Sequence, residues 1–146
     1  MQPISPDLQS IVLCEDVRTE AGGSQTLVGV IGAIPAPQLP IGFFKLCLWT
    51  RWCGGIGRFH QDSRLLDPDD QPVAETGIDF ELREIEGSAT NVHFFGGVQI
   101  SKFGVHHVEI MLDGDMRMRF PVPVIRVAQP PSGSPPPNFI APPVGD

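Results

Sequence analysis

The sequence predicts an all-β protein: a single antiparallel, immunoglobulin-like β-sandwich followed by a proline-rich, extended C-terminal tail. Three observations lead to this prediction. Short apolar runs recur about every ten to twelve residues, several of them alternate apolar with polar residues, and no window keeps an apolar stripe at helical spacing. Sixteen glycines and sixteen prolines also argue against a mostly helical chain. Seven or eight short strands in about 120 residues are typical of a β-sandwich.

Eight apolar runs are the predicted strands. In chain order they are residues 8–17, 25–34, 43–52, 57–66, 76–84, 91–100, 105–112 and 116–127. In the run 105–112 the even-numbered residues, from His106 to Leu112, can share one face. Apolar and charged residues alternate strictly from Ile78 to Arg83, which predicts a strand with one face in water.

Turn residues between the runs predict how they connect. Asp113 and Gly114 predict a tight hairpin, because Asp-Gly tolerates the positive φ angles of a two-residue turn. The segment Ala21–Ser24 predicts a second hairpin, and Asp67–Asp70 predicts a type I turn with proline in its second position. The glycine-rich stretch Gly54–Gly57 is interpreted as a further hairpin connection.

Proline marks two further positions in the predicted fold. Pro35, Pro37 and Pro40 predict a long crossover between the two sheets. Pro121 and Pro123 lie within the last strand, and proline cannot donate to a sheet ladder, so we expect this strand at a sheet edge.

The chain divides into a β-sandwich domain, residues 1–128, and a tail, residues 129–146. Seven of the eighteen tail residues are proline, a composition that favours polyproline-like extended chain. Its large apolar residues, Phe139, Ile140 and Val144, are too few to fold alone. We predict that they form an interface, with Phe139 and Ile140 docking into an apolar groove of a neighbouring copy in preference to that of the same chain.

Charge and cysteine content limit the classes of partner and the compartment. Seventeen acidic and ten basic residues give a net charge of −7, which argues against binding to nucleic acid or to an anionic membrane. No apolar stretch is long enough to cross a bilayer, and the first residues lack the features of a signal peptide. We therefore expect a cytoplasmic, soluble protein with three unpaired cysteines.

The sequence predicts no metal site and no cofactor. The soft ligands that it offers are Cys47, Cys53, His60, His93, His106 and His107. No Cys-x-x-Cys pair is present, and five residues separate Cys47 from Cys53, so we expect buried thiols and surface histidines. The acidic stretch 62–86 has no calcium-binding loop pattern, and we interpret it as a solvated turn and the wet face of a strand.

Catalytic motifs are also weak, and we predict that the protein is not an enzyme. There is no Gly-x-Ser-x-Gly elbow, and Gly54–Gly57 lacks the lysine and helix of a phosphate-binding loop. A hydrolase that uses Cys53 or scattered carboxylates is the least favoured hypothesis, because only Arg51 and Arg58 nearby would lower the pKa of that thiol.

Two tryptophans and an arginine form the candidate ligand platform: Trp49, Arg51 and Trp52. An exposed aromatic ring on a sheet can stack on a sugar or a base. Trp49 and Trp52 lie three residues apart, so in a regular strand they face opposite sides and only one of them is expected in the core.

The resemblance to known sequences rests on these segments: Cys14–Glu20, Gly22–Gly23, Leu27–Gly32, Leu46–Trp49, Leu66–Asp69, and Gly104 through Leu112–Gly114 to Phe120–Val122. Together they resemble a family of small uncharacterised bacterial proteins with a strand-rich, immunoglobulin-like layout. The resemblance covers roughly residues 10–127 and implies the fold, without catalytic or ligand-binding residues to carry over. Two residues after Gly104, where such domains often place tyrosine, this chain has His106.

Two hypotheses about function remain. The preferred one is a non-enzymatic interaction or structural module that binds a partner protein, or another copy of itself, through an edge strand or the tail. The alternative is a small-ligand or carbohydrate-binding β-sandwich that uses Trp49 or Trp52 together with Arg51.

Overall fold

The computed structural model describes residues 2–129. Within this range nine strands follow one another: β1 (Asp7–Thr19), β2 (Gln25–Val30), β3 (Ile34–Ala36), β4 (Ile41–Cys53), β5 (Gly57–Leu66), β6 (Pro72–Leu82), β7 (Ser88–Ile100), β8 (Gly104–Leu112) and β9 (Asp115–Arg126). The predicted interface residues Phe139, Ile140 and Val144 lie outside the described residues.

The strands form two sheets. The first sheet has four strands in the order β2-β1-β4-β7, and the second has five in the order β3-β9-β8-β5-β6. All neighbouring strands are antiparallel except β3 and β9, which run parallel. The longest pairing joins β4 to β7, from Ile41 opposite Ile100 to Cys53 opposite Ser88.

One hydrophobic core lies between the two sheets. Leu46, Leu48 and Trp52 of β4 contribute from the first sheet. The second sheet contributes Val108, Ile110 and Leu112 of β8. Alternation along the strands explains this arrangement, because side chains two apart point to the same face. The all-β prediction is confirmed for residues 2–129. In that range no helix has the length and apolar character that crossing a bilayer requires.

Three turns predicted from the sequence are present in the structure at the predicted residues. Asp113 and Gly114 join β8 to β9 with φ angles of 49° and 85°, so both central residues are left-handed, as this hairpin type requires. Residues 20–24 join β1 to β2. In the acidic turn, the amide of Asp70 donates to the carbonyl of Asp67 at 2.9 Å.

Three predicted features, one connection and two strands, differ from the structure. Gly54–Gly57 is not a hairpin connection, because β4 belongs to the first sheet and β5 to the second. The predicted strand 25–34 divides: β2 ends at Val30, and β3 joins the other sheet. The last strand is only partly an edge, because β3 pairs with its end, from Val124 to Arg126. A single-strand pattern cannot distinguish a hairpin from a crossing between sheets, since both need the same turn residues.

Candidate functional site

The predicted ligand platform is divided between the two faces of β4. Trp52 is fully buried in the core, so it cannot stack on a ligand. Trp49 points to the outer face and is half-buried, and its indole nitrogen donates to Oε1 of Gln25 at 2.7 Å. Arg51 is exposed. Because β4 alternates, the platform hypothesis is reduced to Trp49 and Arg51.

Trp52 belongs to a buried polar network centred on Gln61 of β5. Oε1 of Gln61 accepts hydrogen bonds from three side chains of the first sheet: Trp52 at 2.8 Å, Asn91 at 2.8 Å and Thr50 at 3.0 Å. Nε2 of Gln61 donates to the hydroxyl of Ser63 at 2.9 Å. All five groups are buried, so the network joins the two sheets and leaves no site for a ligand.

A groove of about 640 Å³ opens where β5 and β6 meet the β8–β9 turn. It is lined by Arg58, Phe59, His60, Asp79, Phe80, Glu81 and Asp113. His60 lies between two carboxylates: Nδ1 is 2.6 Å from Asp79 and Nε2 is 3.0 Å from Asp62. These hydrogen bonds, first that of Asp79 and then that of Asp62, raise the pKa of His60 above its usual value.

Gly77 makes this arrangement of His60 possible. Gly77 lies opposite Asp62 in the β5–β6 ladder, and a Cβ there would collide with the His60 ring and the Asp62 carboxylate. The histidine is therefore held by two ion pairs in a gap that glycine leaves. Both ring nitrogens are occupied by these carboxylates. Residues 2–129 contain no group of three or more histidine, cysteine or acidic side chains placed so that they could hold a metal ion.

A second charged cluster covers the outer face of the same sheet. Glu109 of β8 is almost fully buried and accepts from Nε of Arg64 at 2.7 Å and from Arg119. Arg119 also contacts Asp70 at 3.0 Å. Burial alone would raise the pKa of Glu109, but the hydrogen bonds from Arg119 and Arg64 outweigh it, and the pKa is lowered. All of its charges are paired, which identifies the cluster as structural.

Cys14 and Cys47 lack the environment of a nucleophile. Cys14 and Cys47 lie directly opposite each other on β1 and β4, and both are buried. Burial, followed by the neighbouring Cys47, raises the pKa of Cys14 to about 11, and burial also raises the pKa of Cys47. A reactive cysteine needs the opposite shift. Cys53, the residue of the hydrolase hypothesis, is half-buried.

Two of the histidines are in the core and not on the surface as predicted. His93 and His106 occupy inward-facing positions of β7 and β8, where burial lowers the pKa of each. Neither ring nitrogen of His93 has a hydrogen-bond partner. Strand periodicity determines their burial, since each lies two residues from a buried neighbour, Phe95 and Val108 respectively.

The acidic turn is satisfied by the protein itself. The carboxylate of Asp67 accepts from the amides of Asp69 and Gln71, at 2.8 and 2.9 Å, and Lys102 pairs with Asp67 and Asp69. The hydrogen bond from Gln71 is the main reason that the pKa of Asp67 is lowered. These oxygens already have partners, which agrees with interpreting the stretch as a turn.

Among residues 2–129, the two most exposed aromatic side chains lie on adjacent strands of the first sheet. Phe44 of β4 is 96% exposed and Phe94 of β7 is 53% exposed. Nζ of Lys45, the residue that follows Phe44, is 4.9 Å from the centroid of the Phe94 ring and 2.6 Å from Oδ1 of Asp16. We call Phe44, Lys45 and Phe94 the aromatic surface.

An apolar row extends the aromatic surface across the whole first sheet. Val30, Cys14, Cys47 and Phe94 are successive partners in register on β2, β1, β4 and β7. Directly opposite residues in a ladder project from the same face. Val30, at the far end of the row, is 67% exposed, so apolar groups reach water at both ends of the row.

The sequence analysis did not identify Phe44 or Phe94, although a signal was present. Each is one of two adjacent phenylalanines within a predicted strand, Phe43–Phe44 and Phe94–Phe95. Neighbouring residues of a strand face opposite sides, so one ring of each pair must point away from the core. In the structure Phe43 and Phe95 are the buried members.

The fold and these clusters define a two-sheet, all-β domain in which the charged groups of His60, Asp67 and Glu109 are paired within residues 2–129. Residues 9–125 match the model of a protein family, DUF6941, a family of unknown function. The chain therefore belongs to this family. No curated protein matches the chain.

Proposed function

We propose that the protein is a non-enzymatic interaction module that binds a partner protein through the aromatic surface of the first sheet. The observation that carries this proposal is the 96% exposure of Phe44, together with exposed Phe94 on the neighbouring strand, opposite a position three residues further along β4. Aromatic side chains are enriched at the centres of protein interfaces. Burial of one such ring against a partner contributes about 1.5–3 kcal/mol.

The charge of the chain supports a partner other than a second copy. A net charge of −7 makes two copies repel each other, whereas a partner with a basic rim around an apolar centre would be attracted. Lys45 is neutralised locally by Asp16, so it does not oppose such a rim. The partner that we propose is therefore a different protein, with apolar side chains surrounded by lysine and arginine.

The paired state of the other clusters supports a non-enzymatic role. His60, Glu109 and Asp67 have partners within the chain, and the pKa values of Cys14 and Cys47 are raised. Catalytic groups usually have an unpaired lone pair or a pKa shifted toward reactivity. These groups stabilise the domain instead.

We also propose that the strand layout is immunoglobulin-like. The orders β1-β4-β7 and β9-β8-β5-β6 correspond to the A-B-E and G-F-C-C′ strands of a variable-type domain. The layout departs from that pattern at the edge of the first sheet, where β2 lies beside β1. The three unpaired cysteines support our proposal of a cytoplasmic, reducing location.

The small-ligand hypothesis is the second candidate, and it depends on Trp49 with Arg51. The half-buried ring of Trp49 leaves part of one face for stacking, but its indole nitrogen is already bonded to Gln25. Quenching of tryptophan fluorescence by a soluble quencher separates the hypotheses. Protection of Trp49 as complete as that of Trp52 would remove the carbohydrate hypothesis.

Co-purification at native expression level tests the interaction proposal. A species that accompanies the wild-type chain is expected to be lost from Phe44→Ser and Phe94→Ser variants. It is expected to remain with Ile85→Ser, a control at an exposed isoleucine in the turn after β6. Equal recovery with all three variants would contradict the aromatic surface as the binding site.

A further inference from the structure

A second apolar surface lies at the end of the other sheet, where the described chain ends. On the outer face, Val105 of β8 is opposite Pro123 of β9, and Ile125 of β9 is opposite Pro35 of β3. Val105 is 45% exposed and Ile125 is 48% exposed, and Pro121 adds a further exposed ring on the same face. We call these five residues the proline patch.

The proline patch is suited to apolar side chains and not to an added strand. Three of its five residues are prolines, which have no backbone donor and so cannot extend a ladder. None of the five carries a charge. Its occupant is therefore expected to supply apolar groups on an uncharged segment.

The chain itself contains such a segment immediately afterwards. The end of β9 is held beside β3, where the amide of Val127 donates to the carbonyl of Ala36 at 3.1 Å. Seventeen residues, 130–146, follow Gln129, and Asp146 is the only charged side chain among them. Phe139 and Ile140 are adjacent apolar residues ten and eleven positions beyond Gln129.

The length of this segment is sufficient for a return to the patch. Ten residues of extended chain span at most about 33–36 Å. From Pro121 to Ile125 the patch extends about 13 Å along β9. Ser132, Gly133 and Ser134 are residue types that can reverse the chain.

We propose that Phe139 and Ile140 dock onto the proline patch of their own chain. The tether favours the same chain over a neighbour, because a short linker gives an effective concentration in the millimolar range. The sequence alone favoured docking onto a neighbouring copy. The structure favours the same chain, because β9 ends beside the proline patch and the segment 130–146 follows directly. The inference does not depend on the partner-binding proposal, which concerns the opposite sheet.

Methyl NMR spectra of the full chain test this inference. Replacement of Phe139→Ala removes an aromatic ring current, so the methyl resonances of Val105 and Ile125 are expected to shift. Those of Ile78 and Ile85, exposed elsewhere, are expected to stay in place, and Asn138→Ala serves as the matched control. The changes in methyl resonances caused by Phe139→Ala are expected to be the same at all protein concentrations. The wild-type chain is expected to have a monomeric mass in sedimentation.

Two results would overturn the inference. Unchanged Val105 and Ile125 resonances in both Phe139→Ala and Ile140→Ala would show that these side chains do not contact the patch. A contact that disappears on dilution, together with a dimeric mass in sedimentation, would place the segment on a neighbouring copy.

Discussion

The indole nitrogen of Trp52 lies 2.8 Å from Oε1 of Gln61, and this hydrogen bond crosses the core from one sheet to the other. The same oxygen accepts from Asn91 and Thr50, both of the first sheet. Because all of these groups are buried, each donor depends on Gln61 for a partner, apart from Thr50, which also bonds to the carbonyl of Asn91.

Replacement of Gln61 by alanine is expected to lower the free energy of unfolding by about 3–5 kcal/mol. The variant leaves the donors of Trp52 and Asn91 unpaired in the core, at roughly 1–3 kcal/mol each, and adds a cavity. Trp52→Phe, which removes a single donor, is expected to have a smaller effect. Urea unfolding measures both, with Gln99→Ala at an exposed position of β7 as the control. Equal stability of Gln61→Ala and the control would contradict this role.

Replacement of Glu109 by glutamine is expected to lower the free energy of unfolding by about 1–3 kcal/mol at neutral pH, because charge-assisted bonds to Arg64 and Arg119 are lost. The lowered pKa of Glu109 means that its contribution is present above about pH 4.5 and is lost as pH falls through the folded value. The difference between wild type and variant should therefore shrink in acid. Glu81→Gln, at an exposed pair with Arg83, should show a smaller difference. A difference that grows in acid would be inconsistent with this account.

His60 is expected to titrate above its usual pKa of 6.5, because Asp79 and Asp62 hold the protonated ring. The associated stability is fully present below pH 6.5 and is lost as pH rises through the folded pKa. NMR titration of the ring protons should show the pKa falling toward 6.5 in Asp79→Asn, since the first of its two partners is lost. Glu75→Gln on the same strand is the control. An identical His60 titration in Asp79→Asn and wild type would argue against the ion pair.

The buried thiols are expected to stay unreactive in the folded protein. With the pKa of Cys14 at about 11, roughly one molecule in a thousand carries its thiolate at pH 8. Labelling with a thiol-specific disulfide reagent should therefore modify at most Cys53 quickly, and all three cysteines after unfolding in urea. Cys53→Ser is expected to remove the fast phase. Two or three fast thiols in the native protein would contradict the burial of Cys14 and Cys47.

Local patterns predicted the strands and several turns. Alternation grouped the residues that share one face of β8, and Asp113–Gly114 located the hairpin, because both depend on residues close together in the chain. The sheet to which each strand belongs could not be predicted in the same way. Gly54–Gly57 was interpreted as a hairpin but crosses between sheets, and β3 pairs parallel with a strand that begins almost eighty residues later.

The strand pattern alone could predict only part of the aromatic surface. Adjacent phenylalanines at 43–44 and 94–95 imply one outward ring each, but not which ring or on which sheet. The sequence did not determine which of Trp49 and Trp52 is buried. Their spacing requires that they face opposite sides of the strand but does not say which side faces the core. The side-chain hydrogen bonds of the Glu109 cluster join residues up to 49 positions apart in the sequence, and His60 and Asp79 are 19 apart. Only tertiary structure identifies such pairs.

Site-specific photo-crosslinking in cells tests the central proposal most directly. A photoreactive phenylalanine analogue at position 44, and separately at 94, preserves an aromatic side chain where the structure exposes one. We predict one discrete crosslinked species of larger mass, shared by both positions and absent when the analogue replaces Ile85. No crosslinked species at 44 and 94, or the same pattern at all three positions, would contradict the assignment of the aromatic surface as the partner-binding site.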